Sequence, residues 1–212
     1  MKEANAITCL FVDIGGVLLT DGWPHESRAL ASKEFDLNSD EWEDRHRAAF
    51  ETYEMGKLSL DEYLNRVVFF KERSFTREQF KEFMFAQTKP FPQMIELIRT
   101  LKTKYGLKIV VVSNEAREIN DYRIRTFKLD GFVDAFISSC FVRLRKPDED
   151  IFRLALDIAQ VPSQQIVYIE NTPMFVEISE SLGIRSILHT DYSSTSAKLA
   201  EFGLQSDDEI TQ

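Results

Sequence analysis

The sequence predicts an α/β protein: a three-layer Rossmann-like parallel sheet with a helical cap domain inserted after its first strand. Three observations carry this. Short apolar runs such as Ile7–Val12 and Lys108–Val112 are too continuous for half-exposed strands and read as strands buried on both faces. From Pro92 onward such runs alternate with amphipathic helical segments, which implies parallel strands with helices on both faces. Between Thr20 and Pro90 the alternation stops, and helix-like spacing recurs with no strand pattern.

Taken in order, the first strand delivers Asp13 onto Gly15 and Gly16, a turn whose bare N–H groups suit an anion beside the carboxylate. Ser27–Phe35, Ser39–Met55, Ser59–Phe70 and Thr76–Gln87 are expected helices, with Ser or Thr near several starts and acids in the first turns. Gly56 separates two of them. Gln93–Tyr105 is amphipathic and stopped by Gly106. Strands are then expected at Lys108–Val112, Val133–Ser138, Gln165–Ile169 and Arg185–Leu188. Helices are expected at Ala116–Lys128, Pro147–Gln160, Phe175–Leu182 and Ser194–Phe202. The domains are therefore 1–19 with 91–212 as the core, and 20–90 as the cap.

The 212 residues carry a net charge of −9, which argues against nucleic acid or an anionic membrane surface as the main partner. A phosphate ligand needs local positive charge against that field. Cys9 and Cys140 lie in or beside apolar runs and read as reduced core residues, fitting a cytoplasmic location. The N-terminal apolar segment is short and interrupted by Asp13, unlike a signal peptide or membrane span.

Chemistry in open α/β sheets gathers at the carboxyl ends of the strands. Here those ends, or the loops after them, offer Asp13, Ser113-Asn114, Lys146 and Glu170-Asn171. The set suits phosphoryl transfer: a carboxylate nucleophile, a hydroxyl and N–H groups for phosphoryl oxygens, a lysine to offset charge, and oxygens for Mg²⁺.

Asp13-x-Gly-Gly-Val, Val-Ser113-Asn114, Arg-Lys146-Pro147-Asp148-x-x-Ile-Phe and Tyr-Ile-Glu170-Asn171-Thr-Pro-x-x-Val together resemble, in order, the four motifs of the haloacid dehalogenase (HAD) superfamily. The insertion resembles its first-type cap, and the strings are most similar to the glucose-1-phosphatase-like sugar-phosphatase branch. The resemblance implies an Mg²⁺-dependent phosphatase acting on a small phosphorylated metabolite. Asp13 is then the nucleophile and, with the Gly15 carbonyl and Asn171 or Glu170, a metal ligand. Ser113 and Lys146 serve catalysis and phosphate binding, with Gly15 and Gly16 at the phosphate and Asn114 beside it supporting the loop; Trp23, by its place at the cap entrance, is expected either at the substrate or packed under the cap.

Two departures from the family pattern stand out. Most of its phosphatases carry an acid–base aspartate two residues after the nucleophile, where this chain has Gly15; the branch resembled here also lacks it. The usual metal-ligating aspartate is Asn171, so a weakened Mg²⁺ site is expected. Two other readings use the same residues: a metal-independent 2-haloacid dehalogenase, for which no arginine follows Asp13, and a catalytically impaired binding protein.

Among residues with weaker claims, His46 is expected on a solvated helix face and His189 in a structural role. Ser113 is a possible cap of the next helix, with Glu115 in its first turn. Arg143 and Arg145 flank Lys146, and one is expected in solvent. The Phe69–Phe85 series reads as cap core, and Asp148 as a first-turn charge.

Overall fold

The computed structural model describes residues 6–206. Five parallel strands, β1 (Cys9–Val12), β2 (Lys108–Ser113), β3 (Ala135–Ser138), β4 (Ile166–Glu170) and β5 (Arg185–Leu188), form one sheet in the order β3-β2-β1-β4-β5. Side chains alternate across it with period two. Leu10, Val12, Ile109, Val111, Val167 and Ile169 face one apolar cluster, and Cys9, Phe11, Val110, Val112, Ile166 and Tyr168 face the other. Helices cover both faces, which is why these strands read as unbroken apolar runs.

Helix α1 (His25–Glu34), α2 (Ser39–Glu54), α3 (Leu60–Val67) and α4 (Arg77–Ala86) make up the insertion. Ser59 with Glu62, and Thr76 with Gln79, form reciprocal capping boxes at the starts of α3 and α4. Asn38, not Ser39, caps α2, accepting from the Glu41 N–H at 3.0 Å. The insertion packs around Phe80, whose ring meets Trp23, Phe35, Trp42, Phe69 and Phe75. His46 belongs to this packing. It is 5% exposed, with Nδ1 2.8 Å from the Tyr63 hydroxyl, which corrects the expectation of a solvated face. The charges of α2 mark other faces of the helix, and nothing in their spacing reveals that Tyr63 folds over this one.

Helix α5 (Pro92–Tyr105) ends at Gly106 in the left-handed region, φ 65°. Helix α6 (Arg117–Thr126) follows β2. One turn of helix, α7 (Ser139–Val142), leaves β3 before the Lys146 loop, and α8 (Glu149–Ala159) begins at Asp148. Asp148 is the cap rather than a first-turn charge, accepting from the Asp150 N–H at 3.0 Å. Helices α9 (Pro173–Ser181) and α10 (Tyr192–Glu201) flank β5. His189 is held through Nδ1, 2.7 Å from the Thr195 hydroxyl, as a structural role requires. Cys9 and Cys140 are buried free thiols. No helix among the described residues is long and apolar enough to cross a membrane.

The insertion docks against the loops at the carboxyl edge. Arg145 leaves the Lys146 loop to pair with Glu51 and Glu54 of α2, at 2.8 Å each. The Ser139 hydroxyl donates to the Glu54 carbonyl at 2.8 Å, and Phe85 stacks on Tyr122 at 4.8 Å. Gly56, φ 65°, lets the chain pass so close to α7 that an added Cβ would lie 2.3 Å from the Cys140 carbonyl oxygen.

Candidate active site

Strand β1 is central, and the chain leaves it toward β2 and β3 on one side before crossing to β4 and β5 on the other. Such a reversal of strand order opens a crevice at the carboxyl ends. Asp13 follows β1 directly, Ser113 is the last residue of β2, and Glu170 the last of β4.

Asp13 is held at both oxygens. Oδ1 accepts the Ile14 N–H at 2.8 Å, and Oδ2 lies 3.0 Å from Lys146 Nζ. Lys146, 1% exposed, also donates to Glu170 Oε2 at 2.6 Å and to the Tyr168 hydroxyl at 3.0 Å. One buried ammonium thus serves two carboxylates. Burial lowers the lysine's proton affinity, but Asp13 and Glu170 more than offset it, so Lys146 stays charged. Burial raises the Asp13 carboxyl to about 7 against the pull of Lys146. Glu170 stays below its ordinary value because Lys146, Tyr168 and the Thr172 N–H together outweigh its burial.

Above Asp13 opens a cavity of about 350 Å³, within the range of small-molecule sites. Asp13, Ser113, Lys146 and Asn171 line it from the core; Trp23, Arg28, Phe50 and Glu54 line it from the insertion. Residues 7–174 match the family model of haloacid dehalogenase-like hydrolases. The chain belongs to this family.

It is similar to the putative pyrophosphatase PpaX of Caldanaerobacter subterraneus subsp. tengcongensis, 26% identical over 92 residues, 43% of this chain and 41% of that protein. It also resembles the phosphorylated carbohydrates phosphatase of Thermotoga maritima, 25% identical over 142 residues, 67% of this chain and 61% of that one. The matched segments therefore span less than two thirds of either relative. The fold is that of the HAD family enzyme bt-2542 from Bacteroides thetaiotaomicron, with a TM-score of 0.76 at 18% identity over 87% of this chain and 94% of that one. The same enzyme has been crystallised with magnesium and inorganic phosphate. This chain is a HAD-like hydrolase.

Four more expected residues of the hydrolase have their surroundings set by the fold. Asn114 clamps the lysine loop: Nδ2 donates to the Lys146 carbonyl at 2.9 Å and Oδ1 accepts the Lys146 N–H at 2.8 Å. Its amide holds the lysine loop in place, the support expected of it, and the residue also lines the cavity. Glu170 is fully buried, accepts the Thr172 N–H through Oε1, pairs with Lys146 through Oε2, and is absent from the cavity wall. Gly16 turns its N–H to the Leu19 carbonyl at 2.8 Å, so that amide is not bare for an anion. Trp23 reaches the cavity wall, but its ring packs edge-on against Trp42, Phe80 and Phe83.

Ser113 lies below the start of α6, whose cap position is Ala116, and its hydroxyl stands 3.4 Å from Glu115 Oε1. Glu115 precedes the helix and is bound by Arg123 of α6, a fully buried guanidinium that also donates to the Thr20 carbonyl. Of the two arginines flanking Lys146, Arg145 is taken by the α2 carboxylates, and Arg143, in the left-handed region at φ 60°, is exposed, as expected of one of the pair. The sequence reading gave Glu115 only a place in the first turn of the next helix, and it missed Arg123, Tyr168, Asp21, Arg28 and Glu54. Buried pairing depends on which elements meet, and charge alone carried no sign of it.

The donors available to a cation are the Asp13 carboxylate, the Asn171 amide and the Gly15 carbonyl. Asn171 lies directly over Gly16, where an added Cβ would fall 1.9 Å from Nδ2, so the missing side chain brings the amide against the nucleophile loop. Among the described residues no three His, Cys, Asp or Glu side chains come together as a metal cage. The set nevertheless fits Mg²⁺, which is commonly held by one or two carboxylates with waters and substrate phosphate supplying the rest.

Proposed function

We propose that this hydrolase is a phosphatase of small phosphomonoesters, with sugar phosphates as the favoured class, acting through an aspartyl-phosphate on Asp13. The observation that carries the reading is the pairing of Asp13 with buried Lys146 at the floor of the cavity, with the Ser113 hydroxyl beside it. The phosphorylated-carbohydrate relative supports the substrate class.

In the first step a carboxylate oxygen of Asp13 attacks phosphorus and the bond to the ester oxygen breaks. Ser113 donates to a phosphoryl oxygen. Lys146 offsets the charge that Asp13 and phosphate would otherwise share, while Glu170, Tyr168 and Asn114 hold that lysine in place. Asp13, the Gly15 carbonyl and Asn171 would hold Mg²⁺. When bound, the ion supplies positive charge to the phosphoryl oxygens. The charge balance calls for it: Asp13, Asp21, Glu43, Glu54, Glu115 and Glu170 in and behind the cavity wall face only Arg28, Arg123, Arg145 and Lys146. A phosphate dianion entering alone would meet an excess of negative charge. The insertion supplies one wall of the site through Trp23, Arg28, Phe50 and Glu54.

Phosphate release from a panel of sugar phosphates, with and without Mg²⁺, tests the reading. Release should require Mg²⁺ and vanish in Asp13→Asn; equal release by that variant, or none by wild type, would overturn it. Asn171→Asp should lower the Mg²⁺ concentration for half-maximal rate several-fold, because the amide brings no charge.

A further inference from the structure

Resting on the phosphatase reading, we propose that Asp21 is the proton donor and acceptor of this active site, supplying from the start of the insertion what no side chain supplies at Gly15. The nucleophile loop and the first segment of the insertion approach each other at one point. A Cβ built on Gly15 would lie 3.0 Å from Asp21 Oδ1 and 3.6 Å from Asp21 Cα. The Asp21 carboxylate therefore stands over the position from which a residue two beyond the nucleophile would reach the ester. Both Gly15 and Asp21 line the cavity whose floor is Asp13.

The segment is fixed in place by its backbone, leaving the carboxylate free. The Thr20 N–H donates to the Lys89 carbonyl at 2.8 Å, the Thr20 hydroxyl accepts the Lys89 N–H at 3.0 Å, and Arg123 takes the Thr20 carbonyl. Gly22 lies against the same guanidinium, where an added Cβ would be 3.2 Å from Arg123 Nη1. Asp21 between them accepts no hydrogen bond and joins no ion pair among the described residues, so no structural task accounts for it. A carboxyl at a solvent-open cavity wall, unpaired and rigidly carried, is suited to exchange a proton with substrate and then with water.

The chemistry balances in two steps. Asp13 attacks phosphorus, the phosphorus–oxygen bond to the leaving group breaks with its electron pair on that oxygen, and the Asp21 carboxyl gives it a proton. A water oxygen then attacks phosphorus, the bond to Asp13 breaks, and the Asp21 carboxylate takes the water's proton, which restores both aspartates and releases phosphate.

The test compares two leaving groups. An alkyl phosphate needs its departing oxygen protonated; p-nitrophenyl phosphate does not. Asp21→Asn should slow the alkyl ester about 10²-fold or more, while first turnover of the aryl ester, seen as a p-nitrophenol burst, is nearly retained. Equal loss on both esters, or no loss, overturns the proposal. Gly15 lies outside the left-handed region, so Asp is tolerated there, and the far end of Asp21 is its only close neighbour. Gly15→Asp combined with Asp21→Asn should therefore recover alkyl-ester hydrolysis at least tenfold over Asp21→Asn alone; no recovery would refute a shared position. Failure of wild type to release p-nitrophenol in an Asp13-dependent manner would instead sink the phosphatase reading itself.

Discussion

Acid should weaken this protein through His46. The imidazole is buried in α2, 2.8 Å from the Tyr63 hydroxyl and 4.5 Å from the Phe50 ring centroid. Burial, aided by Arg28 and Arg47 and only partly opposed by Glu43, pushes its pKa from 6.5 down to about 4. Between those values the unfolded chain binds a proton that the folded protein refuses. Stability attributable to this residue is complete above the ordinary value and lost as pH falls through the interval. An interval of about 2.5 pH units, at about 1.4 kcal/mol per unit, amounts to about 3 kcal/mol. That is a large share of the stability of an ordinary domain. The measurement is urea denaturation of wild type and His46→Gln from about pH 7.5 to about pH 4.5; glutamine can still bond Tyr63 but does not titrate. Carboxylates common to both proteins cancel in the difference. Wild type should lose about 2–3 kcal/mol relative to the variant across that range. Parallel curves, or an NMR titration of His46 near its ordinary value, would refute the argument.

Two further outcomes follow from the site. Lys146→Met strands Asp13 and Glu170 without their shared cation, and should cost about 3–5 kcal/mol in chemical denaturation. The loss should be smaller at about pH 5 than at about pH 8, since protonation neutralises carboxylates left unpaired, and a pH-independent loss would contradict it. Gly16→Ala places a side chain on a left-handed residue, φ 69°, and into the Asn171 amide. It should cost about 1–2 kcal/mol from the backbone alone and raise the Mg²⁺ concentration needed for turnover. A variant with wild-type metal response would show that the Gly16–Asn171 contact has no part in the site.

Period and punctuation are local properties, and what they govern was legible along the chain. The buried strands announced themselves because β1, β2 and β4 are apolar on both faces. The Ser59 and Thr76 starts were legible because a capping box closes within four residues. Asp13, Ser113 and Lys146 were legible as a set because a parallel sheet must bring the carboxyl ends of its strands to one edge. What the sequence could not decide is which polar side chains consume one another there. That Glu170 pairs with Lys146, and that Asn114 supports its loop through that lysine's backbone, only the fold decided. His46 looked solvated until Tyr63, from another helix, covered it. Asp21 carried no signal at all, since its claim comes only from the loop that lays it over Gly15. Periodicity is written in neighbours along the chain, but desolvation and pairing depend on distances between elements far apart in it, and only the packed tertiary structure sets those.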